Sequence, residues 1–148
     1  MWVADQGGEG RQMGQGERAA VEQAMARFIA AGQAMFEGDL GPMKAIWSHA
    51  DDVSYMGPGG GVRRGWGEVL ADWEAQAGKH LGGRIEAEIL GVTLGGDLAV
   101  VQHRASGHNE PDGLRTDFNI RGTALFRREG GAWKMIGLHT DLLPYLQP

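Results

Sequence analysis

Two residues near the end of the chain, His139 and Asp141, could form an acid–base pair. They stand two positions apart in a segment that is typical of a β-strand, where residues two apart lie on the same face. The same alternation predicts that Trp133, Met135 and Gly137 share that face. A carboxylate orients a neighbouring imidazole and stabilises its protonated form, which suits proton transfer near neutral pH. His139 and Asp141 are therefore predicted catalytic residues, with a purely structural histidine as the alternative.

A second histidine, His103, is predicted on the strand that runs from Asp97 to Gly107. Alternation places Val101, His103 and Ala105 on one face, among apolar positions. A histidine on an inward face can serve as a base within a pocket. His103 is therefore a further candidate base, and Val101 is a candidate substrate contact.

The next predicted strand, Leu114 to Arg128, carries polar residues on one face. Asn119 and Arg121 belong to that set. A guanidinium can bind a carboxylate or stabilise an enolate, so both residues are candidates for substrate binding. The alternative is that this face is the solvated outside of the sheet.

The sequence does not predict a metal or cofactor site. It contains no cysteine, and its five histidines show neither the i, i+4 pair of a helix nor the His-x-His pair of a strand that would place two ligands on one metal. The glycines of 59–61 are not followed by Gly-Lys-Ser or Gly-Lys-Thr, and no dinucleotide fingerprint is present.

Composition narrows the class of protein further. The chain has 148 residues, 42% of them hydrophobic, with 14 Lys and Arg against 19 Asp and Glu for a net charge of −5. This length predicts one domain with its own core. The acidic balance argues against nucleic acid as a partner, and no apolar run is long enough for a membrane span. The sequence predicts a cytoplasmic protein that acts on a small molecule.

The elements that position these residues begin with helices. Residues 1–16 are rich in glycine and predict a flexible tail, within which Trp2 could instead dock on the domain. Residues 17–148 form the predicted domain. Its first helix, from Glu17, has an apolar stripe at spacings of three and four and ends at Gly38. A short second helix follows Asp39, and a third has Trp66 and Trp73 on its apolar side.

Strands follow the helices. A short one, Val53 to Met56, precedes the third helix, and four long ones cover 84–94, 97–107, 114–128 and 132–141. Short glycine turns join the long strands and predict antiparallel neighbours. The fold class is therefore α+β, with three N-terminal helices packed on one face of a curved antiparallel sheet.

Several local strings resemble the SnoaL-like branch of the NTF2-like superfamily. They are Glu37-Gly38-Asp39-Leu40, Trp47-Ser48-His49-Ala50-Asp51-Asp52-Val53, Gly57-Pro58, Gly65-Trp66, the stretch from Phe126 to Ile136 that includes Trp133, and His139-Thr140-Asp141. The resemblance covers about residues 17 to 146. It implies a cone whose pocket opens at the wide end, and a homodimer formed through the sheet. Because this fold carries many activities, it implies less about the reaction.

Two mechanisms of that superfamily can be compared with this sequence. The steroid isomerases have a general-base Asp just before a Pro, where this chain has Gly57 before Pro58, and their oxyanion Tyr falls near Ala31. That mechanism is rejected. The epoxide hydrolases use an Arg-x-Asp pair where this chain has Gln102-His103-Arg104-Ala105. Epoxide hydrolysis stays open only if His103 or Asp117 replaces the usual groups.

Aromatic residues are expected around the mouth of such a cone. Trp47, Trp66 and Trp73 are predicted to line it and to suit an apolar or aromatic ligand, although core packing is the alternative for each of them. Tyr55 has a hydroxyl that could donate to a developing oxyanion, which makes it the fourth candidate catalytic residue.

The favoured function is a cofactor-independent enzyme of the isomerase, cyclase, lyase or hydratase type. Its substrate is expected to be a small apolar or aromatic molecule held in the cone. The alternative is a ligand-binding or dimerisation domain of the same fold without turnover. A natural scaffold redesigned for a new reaction is a third reading, because Gly57, Gly60, Ala105 and Gly122 would suit an enlarged pocket.

Overall fold

The computed structural model describes the backbone of residues 2–143 and the side chains of residues 14–143. Helices and strands follow one another in the predicted order. The helices are α1 (Trp2–Phe36), α2 (Gly41–Ile46) and α3 (Trp66–Ala77); the strands are β1 (Ser54–Met56), β2 (Val62–Arg64), β3 (Arg84–Gly95), β4 (Leu98–Asn109), β5 (Thr116–Glu129) and β6 (Ala132–Leu142).

The strands form one curved, open sheet in the order β2-β1-β6-β5-β4-β3. Strands β3 to β6 are antiparallel neighbours, as their short turns predict. The predicted α+β fold class is confirmed, and the sheet is mixed, because β1 runs parallel to β6, with Tyr55 opposite Leu138. Strand β2 was not predicted, since its three exposed residues carry no apolar alternation.

The helices cover one face of the sheet, called here the inner face; the opposite one is the outer face. Helix α1 packs on β3, β4 and β6, and α3 packs on β1 and β2. The predicted stripe of α1 is confirmed as core: its buried members are Val21, Ala24, Met25, Phe28, Ala31, Met35 and Phe36. Helix α1 ends as predicted before Gly38, whose φ of 91° favours glycine.

The backbone of α1 begins at Trp2, inside the segment 1–16 where the composition predicts a tail. The side chains of residues 1–13, including Trp2, lie outside the described residues. The predicted flexibility of this segment, and the boundary at Glu17, stay predictions.

An irregularity in β6 decides which of its side chains face inward. Met135 pairs with Phe126 and Gly137 pairs with Leu125, so Ile136 is an extra residue that the partner strand does not match. Such a β-bulge moves every later side chain to the other face. Met135 is therefore buried before the bulge and Leu138 after it.

No helix among the described residues is both long enough and apolar enough to cross a membrane.

Candidate functional site

A cavity of about 260 Å³ lies between the helices and the inner face of the sheet. Most of its wall is apolar or aromatic. The lining residues are Phe28, Ile29, Gly32, Met35, Phe36, Met43, Tyr55, Pro58, Trp73, Gln76, Leu81, Ile85, His103, Ala105, Asn109, Phe118, Ile120, Leu138, Thr140 and Leu142. Among the described residues, no Asp, Glu, Lys or Arg lines this cavity. An uncharged, largely hydrocarbon ligand is the kind that such a wall accommodates.

His103 lies on the inner side of β4 and is 2% exposed. Its partner on β5 is Gly122, and the imidazole lies over that glycine. A Cβ added at Gly122 would come within 2.6 Å of Cε1 and 2.7 Å of Nε2 of the ring, so glycine is needed there for space. Burial lowers the pKa of His103 below its ordinary value, because desolvation disfavours the charged ring. At neutral pH, His103 is therefore an uncharged base on the wall of the cavity.

Tyr55 lies on β1 and is 5% exposed. Its ring stacks on Trp73 with the centroids 4.5 Å apart, and its hydroxyl oxygen accepts a hydrogen bond of 3.3 Å from Gln76 Nε2. Burial raises the pKa of Tyr55, so the phenol keeps its proton at neutral pH. The hydroxyl lies 2.5 Å from where a Cβ at Gly57 would stand. Glycine before Pro58 thus leaves room for a phenol at the edge of the cavity.

Thr140 lies between these two groups on the inner face of β6. Its partner on β5 is Gly122. A Cβ added at Gly122, which would meet the ring of His103, would also stand 2.8 Å from Cγ2 of Thr140. Strand β1 ends beside it, since Met56 pairs with His139. His103, Thr140 and Tyr55 thus form a polar row on the sheet side of a mostly apolar wall.

Several buried polar atoms of the lining residues have no hydrogen-bond partner in the described part of the chain. They are Nε1 of Trp73, Nδ1 of His103 and Oγ1 of Thr140. An unpaired buried donor or acceptor destabilises a fold by roughly 1–3 kcal/mol. Such atoms are unusual where packing alone has shaped a core, and two of them, on His103 and Thr140, belong to the polar row and mark it as a candidate site.

The other predicted acid–base pair lines a groove on the outer face of the sheet, which Gly122 and His103 also line. His139 is exposed on the outer face of β6, together with Asp141. Asp141 accepts hydrogen bonds of 2.9 and 3.1 Å from Arg121, and this pairing lowers the pKa of the carboxyl. The prediction that His139 and Asp141 share a face with Trp133 and Met135 is wrong, because the bulge at Ile136 reverses the alternation.

Of the predicted substrate contacts, some line the cavity and others do not. Trp73 lines the cavity, whereas Trp47 and Val101 are buried in the core without lining it. Trp66 stacks on His49 outside the cavity, with the ring centroids 4.2 Å apart. Asn119 and Arg121 lie on the outer face of β5, since Phe118 and Ile120 face inward. Their roles in substrate binding stay predictions.

Sequence reasoning missed Thr140 and Gln76. Thr140 could have been found from the break in apolar alternation after Met135, where Leu138 continues the buried pattern one residue out of step. Gln76 lies three residues after Trp73 on the buried side of α3, where a lone polar residue is a signal in itself.

No cluster of three or more His, Cys, Asp or Glu side chains among the described residues is arranged to hold a metal ion. The predicted homodimer through the sheet stays a prediction.

The fold and site define a small α+β cone with an apolar cavity and a few uncharged polar groups. The chain belongs to the SnoaL-like domain family, whose model matches residues 21–142. A search of the curated proteins found no match.

Solved structures from several bacteria share the fold. A candidate dehydratase of the NTF2-like family from Streptomyces avermitilis is 24% identical with a TM-score of 0.74, over 86% of this chain and 96% of that one. A ketosteroid isomerase-like protein from Erwinia carotovora atroseptica is 22% identical with a TM-score of 0.71, over 88% and 96%. An NTF2-like protein of unknown function in nutrient uptake from Rhodospirillum rubrum is 26% identical with a TM-score of 0.65, over 82% and 97%.

Proposed function

We propose that the protein is a cofactor-independent enzyme that moves a proton on a small uncharged molecule held in the cone, in an isomerase or lyase type of reaction. The observation that carries the proposal is that one apolar cavity is lined both by an uncharged base, His103, and by an uncharged hydrogen-bond donor, Tyr55. The described neighbours in fold include proteins named for a dehydratase and for a ketosteroid isomerase, which is compatible with this class.

His103 acts as the general base. Its neutral imidazole takes a proton from the carbon next to a carbonyl group and becomes an imidazolium. The proton then returns to a second carbon, which shifts a double bond, or to a departing hydroxyl, which completes an elimination. Because burial disfavours the imidazolium, the proton returns readily to the bound molecule. General-base catalysis of this kind contributes roughly 10²- to 10⁴-fold.

Tyr55 stabilises the negative charge that develops on the carbonyl oxygen. Its phenol keeps its proton at neutral pH and stacks on Trp73, which holds the ring in one orientation. A fixed donor in a dry cavity stabilises an oxyanion more than water does, because little reorganisation is needed. His103 and Tyr55 approach the cavity from β4 and β1, on either side of Thr140.

The exchange of hydrogen for deuterium tests the proposal without knowledge of the natural substrate. The protein is incubated in D₂O with a panel of small cyclic and aryl ketones, and NMR follows the loss of signal from the protons next to the carbonyl. We expect exchange above the buffer rate for ketones that bind, and a reduction of about 10²-fold in His103→Gln.

His139→Gln is the matched control, because His139 lies on the outer face. We expect it to change exchange by less than threefold. Wild-type exchange by a folded His103→Gln variant would contradict the proposal, as would an equal loss in both variants.

A second candidate function is ligand binding without turnover. The observation in its favour is that no carboxylate lines the cavity, among the described residues, to support a protonated His103. Binding of several ketones with no exchange above the buffer rate would select this function over the enzyme.

A further inference from the structure

A chain of polar contacts leads from the surface to Tyr55 through Gln76, and both of these residues line the cavity. Arg63 of β2 forms an ion pair with Asp72 of α3, with 3.1 Å between Nε and Oδ2. Gln76, one turn further along α3, donates from Nε2 to Asp72 Oδ1 at 2.9 Å. The same Nε2 donates to the hydroxyl oxygen of Tyr55 at 3.3 Å. These four side chains, Arg63, Asp72, Gln76 and Tyr55, are called here the Tyr55 relay.

The relay fixes the direction of each hydrogen bond. An ionised carboxylate can only accept, so Asp72 requires the amide nitrogen of Gln76 rather than its oxygen. The other oxygen of Asp72, Oδ2, accepts from Nε of Arg63. The two hydrogens of the amide nitrogen then serve Asp72 and Tyr55, and the orientation of the amide follows from chemistry.

This direction determines what Tyr55 presents to the cavity. Its oxygen already accepts a hydrogen bond from Gln76, and its own hydrogen must point to another acceptor. Tyr55 lines the cavity, and the structure gives its hydroxyl hydrogen no acceptor within the described part of the chain. The cavity therefore receives a hydroxyl hydrogen and not a lone pair from Tyr55.

We propose that the Tyr55 hydroxyl favours, among uncharged molecules in the cavity, those that place a hydrogen-bond acceptor beside it, such as a carbonyl, epoxide or ether oxygen, over molecules of the same shape that place a donor there. Gln76 is the positioning residue that sets this preference, because it makes Tyr55 a donor. The inference rests on the proposed function, since it concerns the same cavity, but it is a statement about binding and does not require turnover.

Three rigid bicyclic probes of similar size test the inference: 1-indanone carries an acceptor, indole a donor, and indane neither. NMR titration gives the dissociation constant of each probe for the wild-type protein and its variants. The decisive quantity is the ratio of the affinities for 1-indanone and indole, compared between each variant and the wild type. The free energy of removing each probe from water is the same for every variant, so it cancels in this comparison.

In Gln76→Glu the new carboxylate accepts the hydrogen of Tyr55, and the cavity faces a lone pair instead. We expect the affinity ratio to fall about tenfold, which corresponds to about 1.4 kcal/mol and is the size of one hydrogen bond. Tyr55→Phe removes the hydroxyl and should also lower the ratio. Gln76→Met, which adds no charge, should lower it by less.

Gln102→Glu is the matched control, because it makes the same chemical change at an exposed position on β4. We expect it to leave the ratio within twofold of the wild-type value. An unchanged ratio in Gln76→Glu and Gln76→Met, with indane bound normally, would overturn the role of Gln76. If the ratio of the affinities for 1-indanone and indole is no higher in the wild type than in Tyr55→Phe, the acceptor preference is overturned, whatever the role of Gln76. Failure of all three probes to bind would overturn both this inference and the proposed function.

Discussion

Replacing Gly122 with alanine tests the geometry of the polar row directly. Gly122 lies on β5 between His103 of β4 and Thr140 of β6. The new methyl group would stand 2.6 Å from the ring of His103 and 2.8 Å from Cγ2 of Thr140. Both distances are well below van der Waals contact, so at least one of the two side chains must move.

The expected size of the effect follows from packing. Extra methyl groups forced into a well-packed core destabilise a protein by roughly 1–3 kcal/mol. The backbone at Gly122 is not in the left-handed region, so alanine adds no backbone strain there. For a chain of this size, 1 kcal/mol corresponds to roughly 2–4 °C in Tm, which predicts a decrease of roughly 2–12 °C. Displacement of the imidazole should also reduce His103-dependent hydrogen exchange.

Thermal unfolding of Gly122→Ala and Gly95→Ala, followed by calorimetry or circular dichroism, provides the assay. Gly95 ends β3, and a Cβ added there meets nothing within 4 Å. We expect Gly95→Ala to keep the wild-type Tm and exchange rate. Equal Tm values for the two variants, or full activity in Gly122→Ala, would refute the placement of His103 over Gly122.

Three further predictions concern other parts of the chain. Burial holds the pKa of His103 below 6.5, so on acidification the unfolded chain takes up a proton at this residue before the folded chain does. The free energy of unfolding should therefore fall as the pH drops below 6.5. Denaturant titrations of His103→Gln should show a smaller fall. Gly32→Ala, within α1 and with open space around the added Cβ, should raise the free energy of unfolding by roughly 0.5–1 kcal/mol, and a decrease would mean that the site is crowded. A chain that starts at Glu17 should keep its Tm within a few degrees if residues 1–16 are flexible, whereas a large loss would mean that Trp2 is docked.

Much of the fold could be predicted because its patterns are local. The stripe of α1, the glycine stop at Gly38 and the alternation of β4 and β5 each arise within one element, and each appears where it was predicted. The parallel pairing of β1 with β6 joins segments about 80 residues apart, for which no local pattern exists.

The site was predicted in part, for a related physical reason. His103 was placed in the cavity wall by the alternation of its strand, and Tyr55 by the expected position of its element at the mouth of the cone; both line the cavity. His139 and Asp141 were placed on the wrong face because one extra residue in β6, Ile136, reverses the alternation after it. A bulge is a property of two paired strands, and one strand read alone shows only a weak sign of it.

The ionisation of His103 shows whether this residue is an uncharged base that contacts the molecule bound in the cavity. An NMR titration, with the imidazole signals assigned by comparison with His103→Gln and His139→Gln, gives the pKa of each ring with and without 1-indanone. We expect His103 to titrate below 6.5 and its NMR signals to shift when the ketone binds, whereas the signals of His139 should not shift. A normal pKa for His103 with no response to any bound ketone, or a response at His139 instead, would contradict this role of His103.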